Sequence, residues 1–201
     1  MILLSDYLIQ PKTKKAYGGR NMFDVFRNYY DEFLSALLEH IEISFIAIVT
    51  AIVLAIFVTI FLNFYKEFSH VTIYLFSLMY AIPSFALFAL LIPITGLGQT
   101  TAIIVLVIYA QYILVRTFLS GLSQVDKHVI EAAKAMGMTK WQILLKIQFP
   151  LAQKSFFAGL RLASTAIIAI ATIGATINAG GLGVILFDGL RTMNLTKLLW
   201  G

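Results

Sequence analysis

Three histidines, His40, His70 and His128, and the hydroxyls of Ser84, Ser164 and Thr165 are the side chains of this sequence whose types suit metal ligation or nucleophilic attack. The histidines lie far apart and outside the apolar tracts, so they outline neither a metal cluster nor a catalytic base. The hydroxyls have no base near them in sequence, and in apolar helices such groups bond the preceding turn or a neighbouring helix. Zero cysteines exclude disulfides, thiolate metal sites and a cysteine nucleophile. No stretch has the Gly-x-x-x-x-Gly-Lys-Ser/Thr pattern that cradles nucleotide phosphates. Enzyme chemistry, an intramembrane hydrolase included, is thereby disfavoured, and the chain itself is expected to bind no metal or cofactor.

A different kind of site stands at residues 131–150, EAAKAMGMTKWQILLKIQFP, a basic segment built on Ala and Gly within a largely apolar chain. Asp126 can cap a helix through His128, Glu131 and Lys134, and Gly137 supplies the residue that ends it. Thr139 followed three residues later by Gln142 matches a capping box for a second helix, which Pro150 is expected to stop. Ala132, Ala133 and Ala135 leave one surface of the first helix nearly without side chains. Met136, Met138 and Trp141 surround it with adaptable and aromatic contact area. Either another protein's backbone approaches this surface, or the small residues pack on the chain's own spans.

The elements that carry this corner are membrane helices. Of the 201 residues, 60% are apolar and 12% charged, and the mean hydropathy is +0.88; soluble domains lie nearer one half and one quarter. No Asp, Glu, Lys or Arg occurs over 43–65, 71–115 or 162–187. About 20 apolar residues cross a hydrocarbon core about 30 Å thick. The tracts therefore read as four spans, at about 43–62, 71–92, 100–118 and 156–177, the middle tract dividing at Pro93-Ile-Thr-Gly96-Leu-Gly98. Pro83 should kink the second span or mark a close helix contact.

Seven of the fifteen Lys and Arg residues, Arg116, Lys127, Lys134, Lys140, Lys146, Lys154 and Arg161, lie in or beside the loop between spans three and four, against Asp126 and Glu131. The positive-inside tendency makes that loop, residues 123–150, cytoplasmic and the N-terminus external. Lys12, Lys14, Lys15 and Arg20 oppose this, but they lie too far from a span to weigh heavily; Arg27 is set against Asp31, Glu32, Glu39 and Glu42. Within residues 1–40, Phe23, Phe26, Tyr30, Phe33, Leu34, Leu37 and Leu38 recur at helical spacing, as in an interfacial helix or a short helix packed on the bundle. Arg161 is expected to snorkel to headgroups or to touch a cytoplasmic gate.

Glu131-Ala132-Ala133, three residues, Gly137, nine residues, and Ile147-Gln148-Phe149-Pro150 resemble the EAA signature of ATP-binding cassette (ABC) importer permeases, with Phe149 where Leu is usual. Ala81-Ile82-Pro83-Ser84-Phe85-Ala86-Leu87 and Ala179-Gly180-Gly181-Leu182-Gly183 resemble segments of one branch, the permeases of osmoprotectant importers for glycine betaine, carnitine and choline. The likeness runs from about Asn21 to the C-terminus. It implies an all-α integral membrane protein of the type I ABC importer transmembrane fold over 41–201, multi-pass in a bacterial cytoplasmic membrane.

The same resemblance implies that Glu131, Ala132, Ala133, Gly137, Met138, Trp141, Ile147 and Pro150 couple to a separate ATPase subunit, which uses the ATP. Pro83, Ser84, Gly180, Gly181 and Gly183 are the candidates for the translocation path or gate. Further partners implied are an extracellular or periplasmic substrate-binding protein, free or fused, and a second permease copy; nucleic acid is not among them. Any aromatic recognition of a quaternary amine is expected in the binding protein, leaving the Tyr and Phe residues here to lipid and packing. Asp188 and Arg191 face the binding protein or solvent. Permeases of this branch end with a further span, so a fifth is expected beyond Leu198-Leu199-Trp200-Gly201. Ion-coupled transport is disfavoured, because the charge-free tracts lack the ionisable groups it uses, although backbone carbonyls near Gly174 or Gly180 can hold an ion. The alternatives are a permease for another amino acid or amino-acid-derived betaine, and beyond these a passive channel or a membrane scaffold.

Overall fold

The computed structural model describes residues 30–201; Phe23, Phe26 and the rest of the first 29 residues lie outside the described residues. Helix α1 spans Tyr30–Phe64 without interruption. Neither Pro nor Gly occurs in it, so nothing separates the amphipathic segment from the first apolar tract, and from Tyr30 onward the two share one helix about 52 Å long. Asp31 and Glu32 occupy its first turn, where the helix dipole favours carboxylates.

After a 3-10 turn at Lys66–Phe68, α2 (Ser69–Ala81) and α3 (Ser84–Thr95) meet at a bend of 97°. Pro83 lacks an N–H and pushes Ile82 to extended backbone, φ −69 and ψ 130, so the helical ladder cannot cross the junction. Pro93 is accommodated inside α3, which runs two residues further and stops at Gly96. Then follow α4 (Gln99–Ser123), α5 (Lys127–Ala135), α6 (Lys140–Ile143), α7 (Phe149–Ile173), a 3-10 turn at Gly174–Ile177, α8 (Gly183–Arg191) and α9 (Leu195–Trp200).

Contacts at the two ends of the bundle settle how the chain runs. At one end Glu39 of α1 reaches Gly181, and Ala102 near the start of α4 flanks Gly174. At the other, Phe64 meets Trp141, Asn63 meets Gln148, and Gly121 faces Ser155. Helices α1 and α4 therefore run in the same direction and α7 opposes them. The bent pair α2–α3 begins at the end where α1 finishes and delivers the chain to the end where α4 starts, so it crosses the bundle despite its break.

Helix α4 is the most buried of the three long apolar helices. Ala47, Ala51 and Ala55, spaced by four, are fully buried on α1 and share a cluster with Ala102, Val105, Leu106 and Ala110 of α4. Lipid is as apolar as Leu, so helix association rests on close van der Waals fit, which small residues permit. The amide of Gln111 on α4 donates to the Ala51 carbonyl of α1 at 3.0 Å. Between α4 and α7 the same logic holds: a Cβ on Gly159 would overlap the Thr117 side chain. Phe45, Phe57, Ile94 and Phe157 face outward, as lipid contact allows.

Candidate functional site

The corner at 126–150 forms at the end of the bundle where α1 and α4 finish. Asp126 accepts from the His128 N–H at 2.8 Å and caps α5. The helix ends with the Met136 N–H on the Ala132 carbonyl and the Gly137 N–H on the Lys134 carbonyl, Gly137 taking φ +79. A side chain there would suffer left-handed strain, though nothing among the described residues beyond its chain neighbours lies within 4 Å of where its Cβ would stand. The Thr139–Gln142 capping box is present in both directions, at 2.8 and 3.3 Å.

Pro150 does not end the second helix. From α6 the chain passes through a wider π turn at Leu144–Gln148, in which the Phe149 N–H bonds the Leu144 carbonyl, and continues directly into α7. That shift moves the hydrogen-bond register just ahead of the proline. Pro150 then occupies the first turn of α7, where its missing N–H costs nothing.

The three alanines of α5 do not share a face. Ala133 is fully buried, whereas Ala132 and Ala135 are exposed beside Glu131, Gly137 and Met136, the last 73% exposed. Glu131 lies 3.8 Å from His128, both side chains being solvated. Trp141 is half exposed and packs its ring edge-on against Phe64, centroids 4.8 Å apart, which joins the corner mechanically to the end of α1. Met138 and Ile147 are half-buried, and Pro150 is exposed. Ala133 thus serves the chain's own packing, whereas Ala132 and Ala135 leave an outward surface.

The path candidates are not brought together. Pro83 and Ser84 sit at the break of the bent pair, where the Tyr109 hydroxyl of α4 donates to the Ile82 carbonyl. Tyr80, on the last turn of α2, lies with its ring 5.5 Å from that of Tyr109 and 4.9 Å from that of Tyr112. The Arg116 guanidinium stacks over Tyr112, 5.5 Å from its centroid, and donates to the Tyr112 hydroxyl.

The glycine turn belongs to the opposite end. Gly180 and Gly181 take φ +87 and +81, and the Gly181 N–H donates to Glu39 Oε2 at 3.0 Å. Gly183, buried, starts α8 against the Thr172 carbonyl, which a Cβ would overlap. Beyond it, Asp188 accepts from Arg191 at 2.8 Å and from Lys197 at 2.5 Å. These hydrogen bonds, that from Lys197 foremost, hold the Asp188 carboxyl below its ordinary value. Asp188 and Arg191 are thus paired with each other.

Sequence reasoning missed Glu39, Tyr80, Tyr112 and Arg116. Glu39 entered only as a flanking charge and Arg116 as part of the basic loop, although Arg116 lies inside α4, one turn after Tyr112. A tyrosine and an arginine four apart on an apolar helix are the signal that was available. Among the described residues no group of three or more His, Cys, Asp or Glu side chains is arranged to hold a metal.

Comparison with known proteins follows this geometry. The carnitine transport permease protein OpuCB of Listeria monocytogenes is 36% identical over 163 residues, covering 81% of this chain and 75% of the relative. The ergothioneine transport permease/ergothioneine binding protein EgtU of Helicobacter pylori is 43% identical over 123 residues, covering 61% of this chain and 22% of the relative. The inward-facing MetNI methionine ABC transporter superposes with a TM-score of 0.73 at 21% identity, covering 84% of this chain and 87% of that one, which shows the shared type I importer fold. A sequence profile described as "Binding-protein-dependent transport system inner membrane component" matches residues 47–200, and the chain belongs to that family, the multi-pass inner-membrane permeases of ABC importers.

Proposed function

We propose that the chain forms the translocation path of an ATP-driven importer for a small quaternary-ammonium solute such as glycine betaine, carnitine or choline. The substrate class draws support from the relatives named for carnitine and ergothioneine, both trimethylammonium compounds that bear a carboxylate. Another betaine derived from an amino acid is the alternative within the same chemistry. A binding protein delivers the solute from outside, and EgtU, named for both permease and binding protein, gives a precedent for a fused one. A second permease copy completes the path.

The observation that carries the reading is the capped corner of α5 and α6, with Glu131, Ala132, Ala135 and Met136 outward and Trp141 braced on Phe64. A rigid projection with small residues at its tip suits insertion into a groove of an ATPase subunit. Its direct connection through the π turn into α7 gives closure of that subunit a mechanical route into the membrane. ATP then shifts the path between outward and inward states by differential affinity for the two. Pro83, Ser84 and the glycines at 180, 181 and 183 stand as path or gate positions, the first pair at a helix break and the others at the external end.

The test is co-purification of the chain with its ATPase and binding protein, followed by reconstitution in liposomes. ATP-dependent accumulation of radiolabelled glycine betaine, carnitine or choline supports the proposal. Conductance without nucleotide would mark a passive channel, and partner binding with no flux a scaffold.

A further inference from the structure

Arg116 is an exposed charged side chain on the apolar helix α4, directly after the uncharged run 71–115 and just inside the edge of the span read at 100–118. An ionisable group on a membrane helix is a candidate for a solute or ion route where a cavity opens beside it. The ion pairs among the described residues are His128–Glu131, Arg191–Asp188 and Lys197–Asp188, so Arg116 has no carboxylate partner there. Its contacts are with Tyr112, which orients the guanidinium without neutralising it.

A groove of about 460 Å³ opens beside it, lined by Tyr80, Tyr112, Arg116, Thr117, Leu162 and Thr165. That volume falls within the usual range of small-molecule sites. Tyr80 keeps 39% of its surface exposed. It also sits on the last turn of α2, where the helical ladder stops ahead of the break at Pro83. The groove thus brings one cation and two tyrosine rings together on otherwise largely apolar walls. A second cavity, about 800 Å³, shares Tyr112 and Arg116 and is lined further by Lys66, His70 and Lys127.

We propose that this groove is a solute site within the membrane, taking a zwitterion with its carboxylate on Arg116 and its quaternary ammonium against Tyr80 and Tyr112. The inference rests on the importer reading and deepens it. It also departs from the sequence-based expectation that the aromatic residues serve lipid and packing alone. A bare cation such as choline lacks the carboxylate, so it gains from the tyrosines but not from Arg116.

Equilibrium binding of radiolabelled glycine betaine and of choline to the detergent-solubilised permease–ATPase complex, without binding protein, decides the point. Arg116→Gln should raise the Kd for glycine betaine about tenfold or more, the loss of one charge-assisted contact, and change that for choline less than about threefold. Tyr80→Leu should weaken both solutes about threefold or more, and Tyr80→Phe neither. Unchanged betaine binding in Arg116→Gln, equal loss for both solutes, or no binding by the wild-type complex would overturn the site. If Arg116→Gln fails to assemble, the two Tyr80 variants decide: equal binding by Leu and Phe overturns it. ATP-dependent uptake by the wild type with its binding protein separates the two levels. Import with unaltered site variants sinks the groove alone, whereas absence of import of any such solute sinks the importer reading and the groove with it.

Discussion

Glu39 and Gly181, 142 positions apart, are joined by a hydrogen bond of 3.0 Å from the Gly181 N–H to the Glu39 carboxylate. The bond ties the N-terminal part of α1 to the turn after α7 and satisfies a backbone donor that the left-handed turn removes from any helical ladder. Glu39→Ala should lower the stability of the purified protein by about 1–2 kcal/mol, the worth of a charge-assisted hydrogen bond that is partly solvated. Glu39→Gln, whose amide oxygen still accepts, should lose less. Thermal unfolding of the three proteins in one detergent makes the comparison, and equal midpoints would show that the bond is slack.

Gly183 and Gly137 are both glycines of the segments singled out by sequence, yet the reasons differ. At Gly183 a Cβ would overlap the Thr172 carbonyl, with the carbonyl carbon only 2.8 Å away, and main chain cannot swing aside. At Gly137 nothing among the described residues beyond its chain neighbours lies within 4 Å of a Cβ, so the backbone conformation is what calls for glycine. Gly183→Ala should therefore destabilise by about 2–4 kcal/mol, in the range of overpacked cores. Gly137→Asn, a residue that tolerates left-handed backbone, should cost under about 1 kcal/mol. Thermal midpoints of the two single variants test the ordering.

The helical, membrane-embedded character was legible because lipid demands long uncharged runs, and 71–115 contains no charge at all. The corner's caps were legible because Asp126, Thr139 and Gln142 act over two or three residues, within reach of local reasoning. Pro150 misled because the π turn that absorbs it is a slip of hydrogen-bond register with no residue signature of its own. The division of the alanines was hidden because 132, 133 and 135 lie within one turn, and only the docking of α5 on the bundle chooses which one points inward. Arg116, within the span read at 100–118, was weighed only with the charges in or beside the loop, because a charge at a span's edge reads alike whether it snorkels or lines a groove.

The outward and inward alanines give a paired test of the corner. Ala135→Glu places charge and bulk on the exposed side of α5 and should leave folding intact while reducing ATPase association at least about tenfold. Ala133→Leu forces three extra carbons into a fully buried position and should lower thermal stability by about 1–3 kcal/mol. Pull-down of the ATPase subunit together with a melting curve reads both effects. Full association by a folded Ala135→Glu, or by Gly137→Asp, would remove the corner as the docking element.

The pH dependence of the end formed by α8 and α9 follows from Asp188. Its folded pKa is depressed below the ordinary aspartate range, first by the Lys197 hydrogen bond and then by that of Arg191. The folded state consequently holds fewer protons than the unfolded one across that window. The stabilisation is fully present above the ordinary carboxylate range, from about pH 5 upward, and is lost as pH falls below that range through the depressed value. Because Lys197 belongs to α9 and Asp188 to α8, the loss should be felt as separation of those two helices. Asp188→Asn should lower stability at pH 7 by about 1–2 kcal/mol and flatten the acid limb of the stability profile between about pH 5 and pH 3. Thermal midpoints measured across that range, for wild type and variant in the same detergent, check the sign: an acid limb unchanged by the substitution would place the proton uptake on another carboxylate.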